Sequence, residues 1–157
     1  MQYEFGHGLS YTNFSMSNLA INPMSSGSIS ALPADNPIIP GGNPALWEQL
    51  YTITATVTNT GSVAGAAVSQ VYLALPQAAN SDPQPKKVLR GFSKDMLQPG
   101  ASCEVKFELT RRDLSYWDVT AQQWRIAQGQ VGVMAGFSSR DIVATGSFTP
   151  LGGGMRK

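Results

Sequence analysis

The run LYTITATVTNTG, Leu50 to Gly61, constrains the fold of this chain more than any other stretch. Tyr51, Ile53, Ala55 and Val57 alternate without a break with Thr52, Thr54, Thr56 and Thr58. Strict period two in β-branched and aromatic residues places one set on a core and the other toward water, which is the pattern of a half-buried strand. Asn59-Thr60-Gly61-Ser62 follows with turn chemistry. A second alternating run, ASCEVKFELT, puts Cys103, Val105, Phe107 and Leu109 on an inner face. AVSQVYLALP reads as a third strand, with Val71, Leu73 and Leu75 inward, Gln70 and Tyr72 outward, and Pro76 as its stop.

The remaining segments extend the same plan. VLRGFSKDMLQPG reads as a short strand and a connection ended by the Pro99-Gly100 turn. QVGVMAGFSS and DIVATGSFTP are the last two strands, joined by a polar turn around Ser139 to Asp141. RRDLSYWD is the only helical candidate, and it is too short for more than a turn near Asp113. Charged residues make up 13 % of the 157 residues, about half the usual fraction. Six or seven short antiparallel strands at roughly ten-residue spacing define an all-β, immunoglobulin-like antiparallel β-sandwich. Residues 14–46 hold five prolines (Pro23, Pro33, Pro37, Pro40 and Pro44) and no sustained period, so a long N-terminal loop is expected there. The expected organisation is a joint and first strand over 1–13, that loop over 14–46, the sandwich over 47–149 and a flexible tail over 150–157.

A net charge of +1 offers no long-range attraction to a phosphate backbone or an anionic bilayer, so neither nucleic acid nor a membrane is an expected partner. No apolar run approaches the roughly 20 residues that span a bilayer. A single cysteine excludes an internal disulfide and a cysteine-rich zinc site, and Cys103 reads as a small buried hydrophobe. The opening MQYEFGHG has no signal-peptide pattern, so an exported parent would carry its targeting segment elsewhere.

The candidates for chemistry are few. His7 is the only histidine and stands between Gly6 and Gly8. Imidazole catalysis needs an orienting carboxylate and a nucleophile or metal, and Glu4 is the one acid nearby, so a structural or interface joint is the better reading. Asp113 and Asp118 bracket Tyr116 and Trp117. The pair has the residue types of a sugar site flanked by acids, but Asp113 also suits the start of a helical turn. Tyr116, Trp117, Trp124 and Trp47 are candidates for stacking on sugar or phenolic faces. The alternative for Trp117 and Trp124 is the core edge or a contact surface. Lys86, Lys87, Arg90 and Lys94 are scattered cations suited to salt links. Asn13-Phe14-Ser15 is one glycosylation sequon. No residue is assigned a catalytic or metal-binding role, and no cofactor is implied.

Taken in order, FGHGLSYTNF, VTNTGSVAGAAVSQVYLALP, PKKVLRGFSK, LQPGASCEVKFELTRRDLSYWD and AGFSSRDI resemble the C-terminal fibronectin type III-like domain of glycoside hydrolase family 3 β-glucosidases, most nearly the fungal secreted type. The resemblance covers roughly residues 3–149. It implies a non-catalytic accessory domain, secreted with its parent, whose partners are the parent's catalytic domains. Those domains would precede residue 1 and would carry both catalytic carboxylates. It implies that Phe5, Gly6, His7, Gly8, Leu9 and Tyr11 form the interdomain contact. It further implies a parent acting on cellobiose and cello-oligosaccharides, with a related β-xylosidase or an autonomous module binding plant cell-wall polysaccharide or lignin as alternatives. Cys103 departs from the family, which more often has a polar or basic residue there.

Overall fold

The computed structural model describes residues 3–78 and 83–150. It contains nine strands: β1 (Phe14–Pro23), β2 (Gln49–Asn59), β3 (Gly65–Ala74), β4 (Val88–Leu97), β5 (Ser102–Thr110), β6 (Ser115–Asp118), β7 (Gln123–Ile126), β8 (Val131–Gly136) and β9 (Ile142–Phe148). Two single 3-10 turns, Pro44–Trp47 and Arg111–Leu114, complete it, and no α-helix occurs among the described residues. β1-β2-β5 form one antiparallel sheet and β4-β3-β8-β9 the other, with β6-β7 as a separate hairpin. The two sheets face each other, with β1 beside β9 along one side and β4 beside β5 along the other. This is the expected all-β sandwich.

The inward set of β2 does what its period dictates. Ile53 and Val57 are fully buried, and they meet Val71 and Leu73 of β3 and Val131 and Val133 of β8 in one apolar core. β5 contributes Val105, Phe107 and Leu109, all buried, while Cys103 at its start is half-buried and packs on the edge of that core. Burial raises the Cys103 thiol pKa, with the Asp95 carboxylate adding to the shift.

Three expectations need correction. The loop expected over 14–46 begins with a ten-residue strand, β1, whereas the joint before it contains no strand among residues 3–13. Phe14 and Met16 alternate with serines, but the register with β2 then shifts between Ser17 and Ala20, and Asn18 takes a left-handed φ of 53°. The inward positions resume at Leu19 and Ile21, so the bulge breaks the period that would have marked the strand. β4 is a full strand of ten residues, not a short one. The segment following Arg111–Leu114 folds as the β6-β7 hairpin, where only a turn had been expected. Residues 151–157 of the expected tail lie outside the described residues.

The true irregular stretch, 24–48, is tied down at both ends. Met24 N–H donates to Leu50 O at 2.9 Å. The buried guanidinium of Arg111 donates to Ser30 O at 2.7 Å and to Glu48 Oε2 at 3.2 Å. Asn43 caps the first 3-10 turn by accepting from Ala45 N–H at 2.9 Å.

Candidate functional site

Residues 3–13 lie along β3 on the outer side of its sheet, where Gly6 to Ser10 with Phe14 and Phe137 border a groove of about 300 Å³ over Ala66, Val68 and Gln70. Gln70 was expected to face water and is 3 % exposed; Tyr72 is 2 % exposed. The joint explains both. Gln70 Nε2 donates to Gly6 O and to Phe137 O, each at 2.9 Å, and its Oε1 accepts the Tyr72 hydroxyl. The Lys87 ammonium lies 5.6 Å from the Tyr72 ring centre and donates to Ser139 O. Gly6 has φ +77°, and a Cβ there would collide with the Gln70 amide. Glycine is therefore required on two independent grounds.

The β8–β9 turn grips the same segment. Ser139 N–H donates to Phe5 O at 2.8 Å, and the Ser138 hydroxyl donates to Glu4 Oε1 at 2.9 Å. Ser138 Oγ also accepts from Asp141 N–H at 2.9 Å and so stiffens the turn that holds Glu4. The Glu4 carboxyl is held below its ordinary pKa, chiefly by its own backbone N–H, then by Ser138, with His7 assisting. His7 Nδ1 stands 3.4 Å from Glu4 Oε1, and its ring stacks on Tyr3 at 5.2 Å. No group of three His, Cys, Asp or Glu side chains suited to a metal occurs among the described residues. The His7 backbone N–H donates to Glu4 O at 3.2 Å, so the imidazole and the carboxylate stand on one backbone turn.

Further along, Asn59 locks the joint to the sandwich. It is fully buried; its Nδ2 donates to Val63 O at 2.8 Å and Leu97 O at 3.0 Å. Its Oδ1 accepts from the Thr12 hydroxyl at 2.7 Å and from Gly61 N–H at 3.0 Å. The turn chemistry of NTGS is thus also the anchor for residues 12 and 13, since Thr60 N–H donates to Asn13 O at 2.9 Å. Asn13 itself is exposed.

The joint's other side is unpartnered among the described residues. Leu9 is 94 % exposed, Tyr11 99 %, and Phe5 is also exposed. On the sheet beside it Phe92 pairs with Gln70 and Met96 with Ala66, and both Phe92 and Met96 are exposed, as is Val68 opposite Lys94. Large apolar side chains are thus concentrated on one face of the described residues. Gly8 makes no close approach, so its place in the joint is not one of packing.

The aromatic candidates separate. Trp117 and Trp124 face each other across the β6-β7 hairpin, edge to face at 5.5 Å. The Arg112 guanidinium covers the Trp124 ring at 3.4 Å from its centre, so that face is not open to a sugar. Tyr116, at 8 % exposed, is a buried wall and not a platform, because β6 turns it inward. Trp117 is 40 % exposed. Trp47 is exposed but sits on the separate Pro44–Trp47 turn. Both aspartates of this region are occupied. Asp113 Oδ2 accepts the Thr110 N–H at 2.8 Å and hydroxyl at 2.7 Å, capping the Arg111–Leu114 turn. The buried Asp118 takes Thr120 N–H and Ala121 N–H at 3.0 Å each and Arg125 Nη1 at 3.1 Å. The residues missing from the sequence-based candidates are Gln70, Tyr72, Ser138, Ser139 and Asn59, and Lys87 meets a ring and a carbonyl where a salt link was expected. For Gln70 the signal is a glutamine inside a largely apolar strand, which gives no hint of a partner 64 positions away.

Residues 67–139 match the family model described as a fibronectin type III-like domain. Three plus four antiparallel strands around one core suit such a domain, and the fold is an Fn3-like β-sandwich. Over nearly its whole length the chain is similar to a part of several β-glucosidases. It is 53 % identical over 149 residues to probable β-glucosidase G of Aspergillus oryzae, covering 95 % of this chain and 18 % of that protein. It is 45 % identical over 148 residues to β-glucosidase cel3A of Pyricularia oryzae, covering 94 % and 20 %. Among solved structures, the β-D-glucoside glucohydrolase of Trichoderma reesei superposes with a TM-score of 0.84 at 41 % identity, covering 94 % of this chain and 20 % of that one. The chain thus spans about a fifth of the length of the relatives it matches.

Proposed function

We propose that this chain is a non-catalytic accessory domain that braces the catalytic domains of a family 3 β-glucosidase. The observation that carries the reading is the joint. Gln70 and Ser139 clamp its backbone and Ser138 holds its Glu4 side chain, while Leu9 and Tyr11 stand off the domain almost fully exposed. A segment held that firmly, with its apolar side chains turned outward, suits a docking strand for preceding domains. The likeness to family 3 β-glucosidases supports a parent that removes terminal β-D-glucosyl residues from cellobiose and short cello-oligosaccharides by a retaining, two-carboxylate mechanism. Export with that parent follows the same reading, and the exposed Asn13 would then be open to glycosylation.

The chain alone is expected to leave an aryl β-glucoside unhydrolysed, because Asp113 and Asp118 are spent on capping and on a hairpin turn. Turnover that persists through purification and disappears in Asp113→Asn or Asp118→Asn would overturn the reading. A second reading, contact with plant cell-wall polymers, has its own support in the part-exposed Trp117 ring beside Trp124 and Arg112.

A further inference from the structure

A cleft of about 260 Å³ opens between the β6-β7 hairpin and the ends of β3 and β4, with Leu75 and Val88 on one wall and Tyr116, Trp117 and Trp124 on the other. Two arginines enter it, Arg90 from β4 and Arg112 from the Arg111–Leu114 turn. Among the described residues, Asp113 is the carboxylate that pairs with them. The nearest carboxylate oxygen, Asp113 Oδ1, is 3.7 Å from Arg90 Nε, beyond hydrogen-bond reach, and the other oxygen of Asp113 is committed to Thr110. Arg90 Nε is buried and has no hydrogen-bond partner among the described residues. Arg112 has its guanidinium plane on Trp124, and burial followed by repulsion from Arg90 lowers its pKa, with Asp113 only partly offsetting this. Among the described residues, two guanidiniums thus share the single carboxylate of Asp113.

The shape of the cleft narrows the anion. Its volume lies just under the roughly 300–1,000 Å³ of drug-sized sites, so it holds about one ring. A guanidinium fork matches a planar carboxylate, and the part-exposed Trp117 indole at the rim offers an apolar face to a pyranose ring. We propose that this cleft binds a uronic acid residue of an acidic polysaccharide, its carboxylate taken by Arg90 and Arg112 and its ring laid against Trp117. This inference rests on the polymer-contact reading above and is independent of the bracing role.

The test is an NMR titration of the ¹⁵N-labelled 157-residue chain with trigalacturonate, cellotriose and ferulate, following the tryptophan indole and arginine Nε–H signals. Trigalacturonate is expected to shift the Trp117, Trp124, Arg90 and Arg112 signals and to bind at least tenfold more tightly than cellotriose. Arg90→Gln and Arg112→Gln should each weaken it at least tenfold while keeping a dispersed amide spectrum. Should either variant fail to fold, Trp117→Ala at the exposed rim serves, with an expected loss of threefold or more. Equal binding of cellotriose and trigalacturonate would overturn the uronate site and leave the polymer-contact reading standing. Binding of neither would overturn both. Trigalacturonate affinity unchanged in the arginine variants, or ferulate binding more tightly than trigalacturonate, would also overturn the assignment.

Discussion

Gln70→Leu is the most informative single change to the clamp. The amide is buried at 3 % exposure and serves three partners: Gly6 O, Phe137 O and the Tyr72 hydroxyl. Leucine is of similar size, so the packing loss is small and the effect falls on hydrogen bonding. A buried polar group left without a partner costs about 1–3 kcal/mol. Tyr72 is buried and its hydroxyl has no other partner among the described residues, so it bears that cost in full. Phe137 O bears part of it, while Gly6 O lies in an exposed segment and regains water. The sum is roughly 2–4 kcal/mol, a large share of the 5–15 kcal/mol that holds an ordinary domain together. Urea unfolding followed by tryptophan fluorescence measures it. Tyr72→Phe removes only one member of the network and should cost about 1 kcal/mol. A loss below about 1 kcal/mol for Gln70→Leu, or a loss for Tyr72→Phe equal to that of Gln70→Leu, would refute the view that the joint and the turn meet on this amide.

Three further outcomes are expected. Gly6→Ala forces a left-handed alanine, costing roughly 1–2 kcal/mol, and drives its methyl into Gln70; faster hydrogen exchange at the Ser139 amide, which donates to Phe5 O, reports the release of the joint. Asn59→Ala strips Leu97 O of its buried donor and frees Thr12 and Gly61, so a stability loss on the order of 3 kcal/mol is expected by denaturant unfolding. Asp118 is held below the ordinary aspartate value of 3.8, chiefly by the Ala121 N–H, with Thr120 N–H and Arg125 adding to it against burial. A depressed folded-state value means that its stabilisation is complete above the unfolded-state value and is lost as pH falls below about 3.8 through the lower folded one. Thermal midpoints of the wild type should therefore fall more steeply over that acid range than those of Asp118→Asn.

How far residues reveal structure here depends on the range of the interaction. β2 and β5 are legible because nothing interrupts their alternation and each packs one face on the core. β1 is hidden by two residues: the bulge at Ser17–Ala20, with Asn18 left-handed, moves its apolar positions out of period. β6 and β7, four residues each, are too short to show a period, and their aromatics read as a sugar platform until Arg112 is seen on Trp124 and Tyr116 is found turned inward. Gln70 and Tyr72 follow the outward phase of β3 correctly, but water does not meet them there. The joint does, arriving from more than sixty residues earlier in the chain. Local pattern assigns a face, and only tertiary structure says what covers it.

The bracing role turns on Leu9 and Tyr11, which no neighbour among the described residues covers. Burying each against a preceding domain would contribute about 1.5–3 kcal/mol. The direct measurement exchanges the matching segment of Aspergillus oryzae β-glucosidase G for this chain, with and without Leu9→Ser and Tyr11→Ser, and records the thermal midpoint for loss of glucosidase activity. The double substitution should lower that midpoint by several degrees in the exchanged enzyme and leave the unfolding midpoint of the isolated 157-residue chain unchanged. Equal midpoints in the exchanged enzymes, or an equal drop in the isolated chain, would contradict the account.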